Sequence, residues 1–524
     1  MSLRTTGIVS GFGAAEFTRL KGQLTDYQRQ LGTGMKSETY GGLGSERALA
    51  LGFQASRSDI AAWQGSISLV TTRIKIMDTA LTSTQKTVAS VKTALASADF
   101  TLASGRTTGQ LTANGGLDSV ISMLNSSDGS RYMFSGRATS TEPVLDSATI
   151  MAGEGGKDGF QTVMRERMQA DLGSSASSPE LDGTATGRVT LTAAGTQPVT
   201  LSEDGTHSFG LKIASVSGSV GGVTAALTAG PPASLDLTAG AGTANVGESQ
   251  TIGFTLPDGS TERIILSAVA ADATVASPGQ FKIGATAAET LDNMRTALGS
   301  SLQTLVSTKL AAASAVKAGQ DFFEGETNPA TLGSIPTGAP KRLVAGVSGT
   351  MMDAVAYDTP ANGDAKTLRW YRGDTGAGAA RSTAASQVDS SVSVSYGARA
   401  DEEALRSVVQ NLAVVSAMKF TSADTVSQQR YQALANRVSG ALAGEGATQT
   451  VTSIQVELAA ANVSATSAGT RHKASDAMYA DMLSDVVGVN DEEVGAYILA
   501  LQTQLQASYQ TTSMLSKLSL VSYL

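Results

Sequence analysis

From Ile60 onward, apolar side chains recur at alternating steps of three and four. The positions are Ile60, Trp63, Ile67, Val70, Ile74, Met77, Leu81, Thr84, Val88, Val91, Leu95, Ala98 and Leu102, and only Thr84 is not apolar. A repeat of about 3.5 residues held for about six heptads marks a helix whose single stripe packs on other helices. An ordinary amphipathic helix of a globular core stops by about 20 residues. The spacing therefore predicts a long helical rod.

A second rod is predicted towards the other end. Asp401, Glu402 and Glu403 read as an N-cap with acids in the first turn, where the helix dipole favours them. Leu405, Val408, Leu412 and Val415 follow at helical spacing. A weaker stripe runs through Val451, Ile454, Leu458, Ala461, Ala465, Ala468, His472, Ser475, Tyr479, Met482 and Val486. Small residues in its middle allow a partner helix to approach closely.

The final helix opens with Asn490 and Glu493 at capping-box spacing. It continues through Val494, Ile498, Leu501, Leu505, Ser508, Thr512 and Leu515, and the apolar character persists through Leu518 to Leu524. Phe17, Leu20, Leu24, Tyr27 and Leu31 form a short matching stripe near the start. Two distant stripes satisfy one another by folding back together. The extreme ends still need cover from outside the chain.

The middle follows a different period. From about residue 185 to 285 short alternating runs appear, Val189/Leu191 and Phe209/Leu211/Ile213 among them. Ile252, Phe254 and Leu256 alternate before Pro257-Asp258-Gly259, and Ile264 and Leu266 follow it, which predicts a hairpin. Thr286 and Glu289 form another capping box ahead of Leu291, Met294, Leu298, Leu302 and Leu305. The layout is α+β and nested: helical ends around a β-containing middle.

Composition sharpens this picture. Charged residues are 16% and aromatics 5%, with 56 glycines against 11 prolines, while 41% of residues are hydrophobic. That composition suits long helices packed through small side chains, and it argues against disorder. The formal charge of −8 with no basic patch disfavours nucleic acid as a partner. No stretch approaches the roughly 18 apolar residues of a membrane span, and the start lacks the apolar core of a cleaved signal peptide. With no cysteine, disulfides, thiolate metal sites and cysteine nucleophiles are excluded.

Catalytic constellations are scarce. His207 and His472 are the only histidines, and structural roles fit both. "GTGMKS" at 32–37 lacks the first glycine of a phosphate loop. "GGLG" at 41–44 reads as a flexible break between helices. Ser416 and Lys419 match an SxxK acylation pair without companion motifs. Arg372-Gly373-Asp374 matches the adhesion tripeptide, for which a polar turn is the simpler reading. No enzyme activity, metal or cofactor is expected.

Three stretches carry a family resemblance. "GSRYMFSGRATSTEPV" at 129–144 contains Arg131, Tyr132, Phe134, Ser135 and Gly136; "LRWYRGDTG" spans 368–376; and "VGVNDEEVGAYILALQTQLQASYQ" at 487–510 contains Asn490, Asp491, Glu492 and Glu493. These resemble the bacterial flagellar hook-filament junction proteins (hook-associated protein 3), relatives of flagellin. The first is similar to that family's "GRYLFSG" turn. The second is similar to its aromatic-aromatic-x-Gly-Asp stretch, and the third to the "GVNLDEE…YQAS" ending of axial proteins. The resemblance covers roughly residues 1–165 and 368–524. Thr33, Gly34 and Lys36 match its first interhelical turn, but the family's Asp-Asp-Pro is missing there.

The resemblance implies a flagellin-like organisation. Residues 1–45 and 480–524 would be paired terminal helices forming a coiled coil, and 46–165 with 385–479 a long-helix bundle. Residues 166–384 would be an inserted β-rich outer domain with a helix near 287–316. Leu20, Leu24, Tyr27, Leu31, Ile498, Leu501, Leu505, Leu515 and Leu518 would then form the assembly interface. Implied partners are further copies in a ring or layer, the adjacent hook-associated protein, flagellin and an export chaperone, with neither nucleic acid nor membrane insertion. The expected location is extracellular, on the flagellum, after type III export. The alternatives are a flagellin that polymerises into the filament and a surface adhesin acting through the β insert.

Overall fold

The structure is a computed structural model describing residues 3–97, 100–328, 330, 338–420 and 424–521, with side chains described for residues 15–514 among these. In chain order it forms α1 (Leu3–Thr33), α2 (Arg47–Leu95), β1 (Leu102–Ala103), β2 (Arg106–Thr107), α3 (Thr108–Leu124), α4 (Ser147–Ala152), β3 (Gly153–Glu154), β4 (Lys157–Asp158) and α5 (Phe160–Leu172). Then come β5 (Val189–Leu191), β6 (Val199–Glu203), β7 (Lys212–Ser219), β8 (Val223–Thr228), β9 (Ser234–Ala239), β10 (Ser249–Thr255), β11 (Thr261–Val269) and β12 (Gln280–Lys282). The rest comprises α6 (Ala287–Leu305), α7 (Ala311–Gly319), α8 (Pro360–Lys366), β13 (Ala385–Gln387), β14 (Ser393–Ser395), α9 (Glu403–Ala417), α10 (Thr425–Leu442), α11 (Val451–Val487) and α12 (Asp491–Val521). Long helices and several small sheets make this a mixed helix-and-strand protein.

The chain divides into two compact units. The first gathers Met1–Thr71, Ser386–Val394 and Asn462–Leu524. Here the early part of the α2 stripe buries Ile60, Ile67 and Val70, while the later part of α11 buries Ala465, Ala468 and His472. The two run antiparallel. Trp63 stacks on His472 with centroids 5.0 Å apart, Arg57 bonds Asp476 at 2.8 Å, and Phe53 meets Tyr479. His472 Nε2 lies 2.7 Å from the Val388 carbonyl, giving the buried ring a structural partner. The "GTGMKS" stretch pairs with the α11–α12 connection: Lys36 N–H donates to Val487 O, and Val489 N–H to Gly34 O. "GGLG" lies between α1 and α2 in a 3-10 turn, Tyr40–Glu46, with Leu43 buried and non-helical backbone at Gly44, φ 57°.

The second unit comprises Thr72–Ala385 and Ser395–Ala461. The stripe continues to Leu95 with Ile74, Met77, Leu81, Thr84 and Val91 buried. Thr84 sits among apolar neighbours because its hydroxyl donates to the Ala80 carbonyl of the preceding turn. The helix ends there; Leu102 belongs to β1, and Ala98 lies outside the described residues. The second rod begins as a 15-residue core helix, α9, buried nearly all round. Asp401 is not its cap. Glu402 is, without a side-chain cap bond, because Arg399 takes the Asp401 carboxylate and Arg381 takes that of Glu402.

Two four-stranded sheets have the orders β12-β11-β10-β7 and β5-β6-β9-β8. The hairpin appears as expected: β10 and β11 pair from Ser249↔Ser267 to Thr255↔Thr261, and the Asp258 carboxylate accepts from Ser260 in the turn. Thr286 caps α6 by accepting from Glu289 N–H, but Glu289 reaches back to Ala285 N–H, so the capping box is displaced by one residue. The helical stretch runs past 316, through π turns at Val306–Leu310 and Gln320–Glu324. Two carbonyls in these turns find distant donors: Ser307 O accepts from Arg430 Nε and Phe323 O from Trp370 Nε1.

Candidate functional site

The helices near the two ends of the chain pair with each other. Leu20, Leu501 and Leu505 are buried together, with Phe17, Leu24 and Tyr27 half-buried around them. Tyr27 stacks on Tyr497 at 5.3 Å, and Phe17 meets Tyr509 edge to face at 5.0 Å. The numbering rises on α1 as it falls on α12, so the pairing is antiparallel. Asn490 opens α12, its side chain accepting from Glu492 and Glu493 N–H; Glu493 accepts from Tyr497 O–H instead of completing a capping box. Acids at Asp491, Glu492 and Glu493 complement the positive end of that helix.

Cover within the chain is narrow. Ile498 is half-buried, and Leu31 stays 43% exposed. Leu499, Tyr509 and Met514 are each exposed by more than 60%. The side chains of Leu515 and Leu518 lie outside those described. A helix of this kind gains most of its stability from packing, so open apolar positions leave room for further partners.

In the second unit the first two family-like stretches meet. Asp374 N–H donates to Ser135 O, Gly136 N–H to Ala398 O, and Ala400 N–H to Phe134 O. Leu145 N–H donates to Trp370 O, and Arg372 N–H to Pro143 O. Gly136 is required at this knot: its φ is 63°, and a Cβ there would lie 2.8 Å from the Asp374 Cβ. Arg131 and Tyr132 are half-buried on the same turn, where Asp128 accepts from Arg131 N–H and from Arg73 Nε. Against the opposing effect of burial, hydrogen bonds from Ser130, Arg73 and Arg131 hold the Asp128 carboxyl well below the ordinary value. The third stretch, Asn490–Glu493, belongs to the other unit.

The geometry also disposes of several motif matches. Ser416 Oγ donates to its own helix at Leu412 O, while the Lys419 ammonium reaches Ser178, so neither serves the other as nucleophile and base. The Asp374 carboxylate of the Arg-Gly-Asp match is occupied by Gly376 N–H within its turn. A cleft of about 300 Å³ beside the knot contains Trp370, Tyr371, Arg399 and Asp401, but Arg399 and Asp401 are already paired. Among the described residues no cluster of His, Asp or Glu is arranged to hold a metal. No described helix is long and apolar enough to cross a membrane.

Sequence reasoning missed the buried polar networks. Arg167 bridges Asp171 and Asp321 and donates to Tyr357 O–H, and Ser314 Oγ donates to Asp171. Nearby, Arg188 contacts Asp204 and His207 and donates to the carbonyls of Ala170, Met352 and Ala354. These groups come from segments far apart in sequence, and only Arg167/Asp171 at i,i+4 gave a local signal.

No family model matches this chain, and no curated protein matches it.

Proposed function

We propose that this chain is a structural subunit of the bacterial flagellum, a junction protein that joins hook to filament through its terminal helices. The observation that carries the proposal is the end pair, in which α1 and α12 pack through Leu20, Leu501 and Leu505 while Leu31, Leu499, Tyr509 and Met514 remain open. In this reading the pair is the inner coiled coil of a tubular layer, and neighbouring copies cover the open positions. Residues 166–384 then form an inserted outer module. The proximity of the "RYMFSG" and "RWYRGD" stretches supports the same reading, since both carry the family resemblance.

A subunit between two unlike lattices makes different contacts at its two axial faces and forms a limited layer. A flagellin repeats one heterologous contact and continues as an open helix. Purified protein added to hook ends, with the upstream junction protein supplied, should add a short band and stop. Long filaments growing from this protein alone would replace the junction reading with flagellin.

A further inference from the structure

The two four-stranded sheets and α6 make one body. Leu291, Met294, Leu298 and Leu302 of α6 are buried. Arg295 Nε donates to Thr192 O beside β5, and Asn293 Nδ2 donates to Lys282 O on β12. This β body meets the helices of the second unit at one level. The chain enters it at Gly187, whose N–H donates to Leu172 O at the end of α5. Leu211 N–H donates to Gly187 O, and Gly210 N–H to the Asp171 carboxylate. The chain leaves through the π turn Val306–Leu310. Gly187 packs so closely on that turn that a Cβ would lie 2.5 Å from Val306 Cγ2. Entry and exit therefore share a single point.

The exit is built to bend. The Ser307 and Thr308 hydroxyls donate to the carbonyls of Gln303 and Thr304 in the preceding turn, a type of bond that bends helices. The π turn interrupts the regular helical ladder there. Beyond it the helix is fixed, because Ala311, Ala312, Ala313, Ser314 and Ala315 of α7 are all buried.

Two arginines of α10 tie this region down. Arg430 Nε donates to Ser307 O in the π turn. Arg437 lies two helical turns further, about 10 Å along the same face. Its Nε donates to the Asp258 carboxylate at 2.9 Å and its Nη2 to Ser260 Oγ at 3.2 Å, both in the β10–β11 turn. Glu262 stands 3.7 Å from Arg437 and pairs with Lys309 of the π turn. Between the two arginines, Gln432 and Asn436 face a cleft of about 450 Å³ whose other wall includes Arg263 and Ile265 of β11. Polar ties therefore join α10 to the sheet here, across a gap. We propose that the β body is hinged at Val306–Leu310 and latched by Arg437 on the Asp258–Ser260 turn. A hinge confines backbone change to a few residues. Releasing the latch swings the body and widens the cleft while both sheets keep their ladders. The device does not depend on the junction reading and goes beyond it.

The absence of cysteine allows spin labels at two chosen places. Full-length protein carries Val246→Cys, exposed on the β body, and Ser90→Cys, exposed on α2. Pulsed electron paramagnetic resonance then reads the distance between them. Adding Arg437→Ala should broaden that distance distribution and move its mean. Arg437→Lys, which keeps the charge, should give an intermediate width. In Arg437→Ala, hydrogen exchange should accelerate at 306–310 and stay slow across the β10–β11 ladder. An unchanged distribution in Arg437→Ala would overturn the latch, and unchanged exchange at 306–310 would overturn the hinge. Broadening accompanied by fast exchange across the ladder would also overturn the proposal, because Arg437 would then hold the sheet together rather than its orientation.

Discussion

Phe17 and Tyr509 meet edge to face, ring centroids 5.0 Å apart and planes at 70°. With Tyr27 on Tyr497 further along, the two contacts bracket the Leu20, Leu501 and Leu505 cluster. The pairing of the end helices therefore rests on a few apolar side chains.

Replacing Leu501 and Leu505 together by Ser should open this pair. Each buried leucine lost costs about 2–5 kcal/mol where it packs, which is large for so small a cluster. Hydrogen exchange across 17–31 and 494–509 should accelerate, and assembly should be lost. The thermal transition of the second unit should stay in place; a shift of many degrees would tie these leucines to that unit's core.

At the knot between the first two family-like stretches, Gly136→Ala should destabilise the second unit. Left-handed backbone alone costs a residue with a Cβ about 1–2 kcal/mol, and the contact with Asp374 adds to it. Chemical denaturation should show a lower midpoint with an unchanged slope. Wild-type stability would remove the steric argument.

The buried ion network gives a third expectation. Arg167→Met leaves Asp171 and Asp321 without their shared guanidinium, and breaking one partner of such a network costs about 3–5 kcal/mol. Asp171→Asn should cost less, since Arg167 keeps Asp321 and Tyr357 and the one amide oxygen still accepts from Gly210 N–H, while the position that accepts from Ser314 Oγ becomes the amide nitrogen. Denaturation midpoints of the two variants check this order.

His207 should make the second unit sensitive to acid. Burial, together with the positive Arg188 beside it, holds the ring below the ordinary value of 6.5, with Asp204 opposing and Lys212 adding to the shift. On acidification the unfolded chain takes up this proton first. The contribution is therefore complete above pH 6.5 and is lost as pH falls through the lower folded value. Between about pH 7 and pH 5, thermal stability should fall more steeply for the wild type than for His207→Gln. Parallel profiles would show that His207 does not titrate in this window.

Much of the architecture was legible because it is local. The stripe from Ile60 to Leu95, the β10–β11 hairpin and the caps at Thr286 and Asn490 each depend on residues within a few positions of one another. So do Leu20, Leu501 and Leu505, whose spacing marks one face of each end helix. What escaped depends on distant partners. Asp401 looked like a cap until Arg399 took its carboxylate. The carbonyls of Ser307 and Phe323 depend on Arg430 and Trp370, more than 40 residues away. Leu31 fits the stripe, yet it lies outside the buried cluster and stays exposed.

The proposed place between hook and filament is tested most directly by labelling. Antibody against this protein, applied to isolated flagella and viewed by electron microscopy, should mark a narrow band between hook and filament. Label along the whole filament, or none on flagella, would contradict the junction assignment.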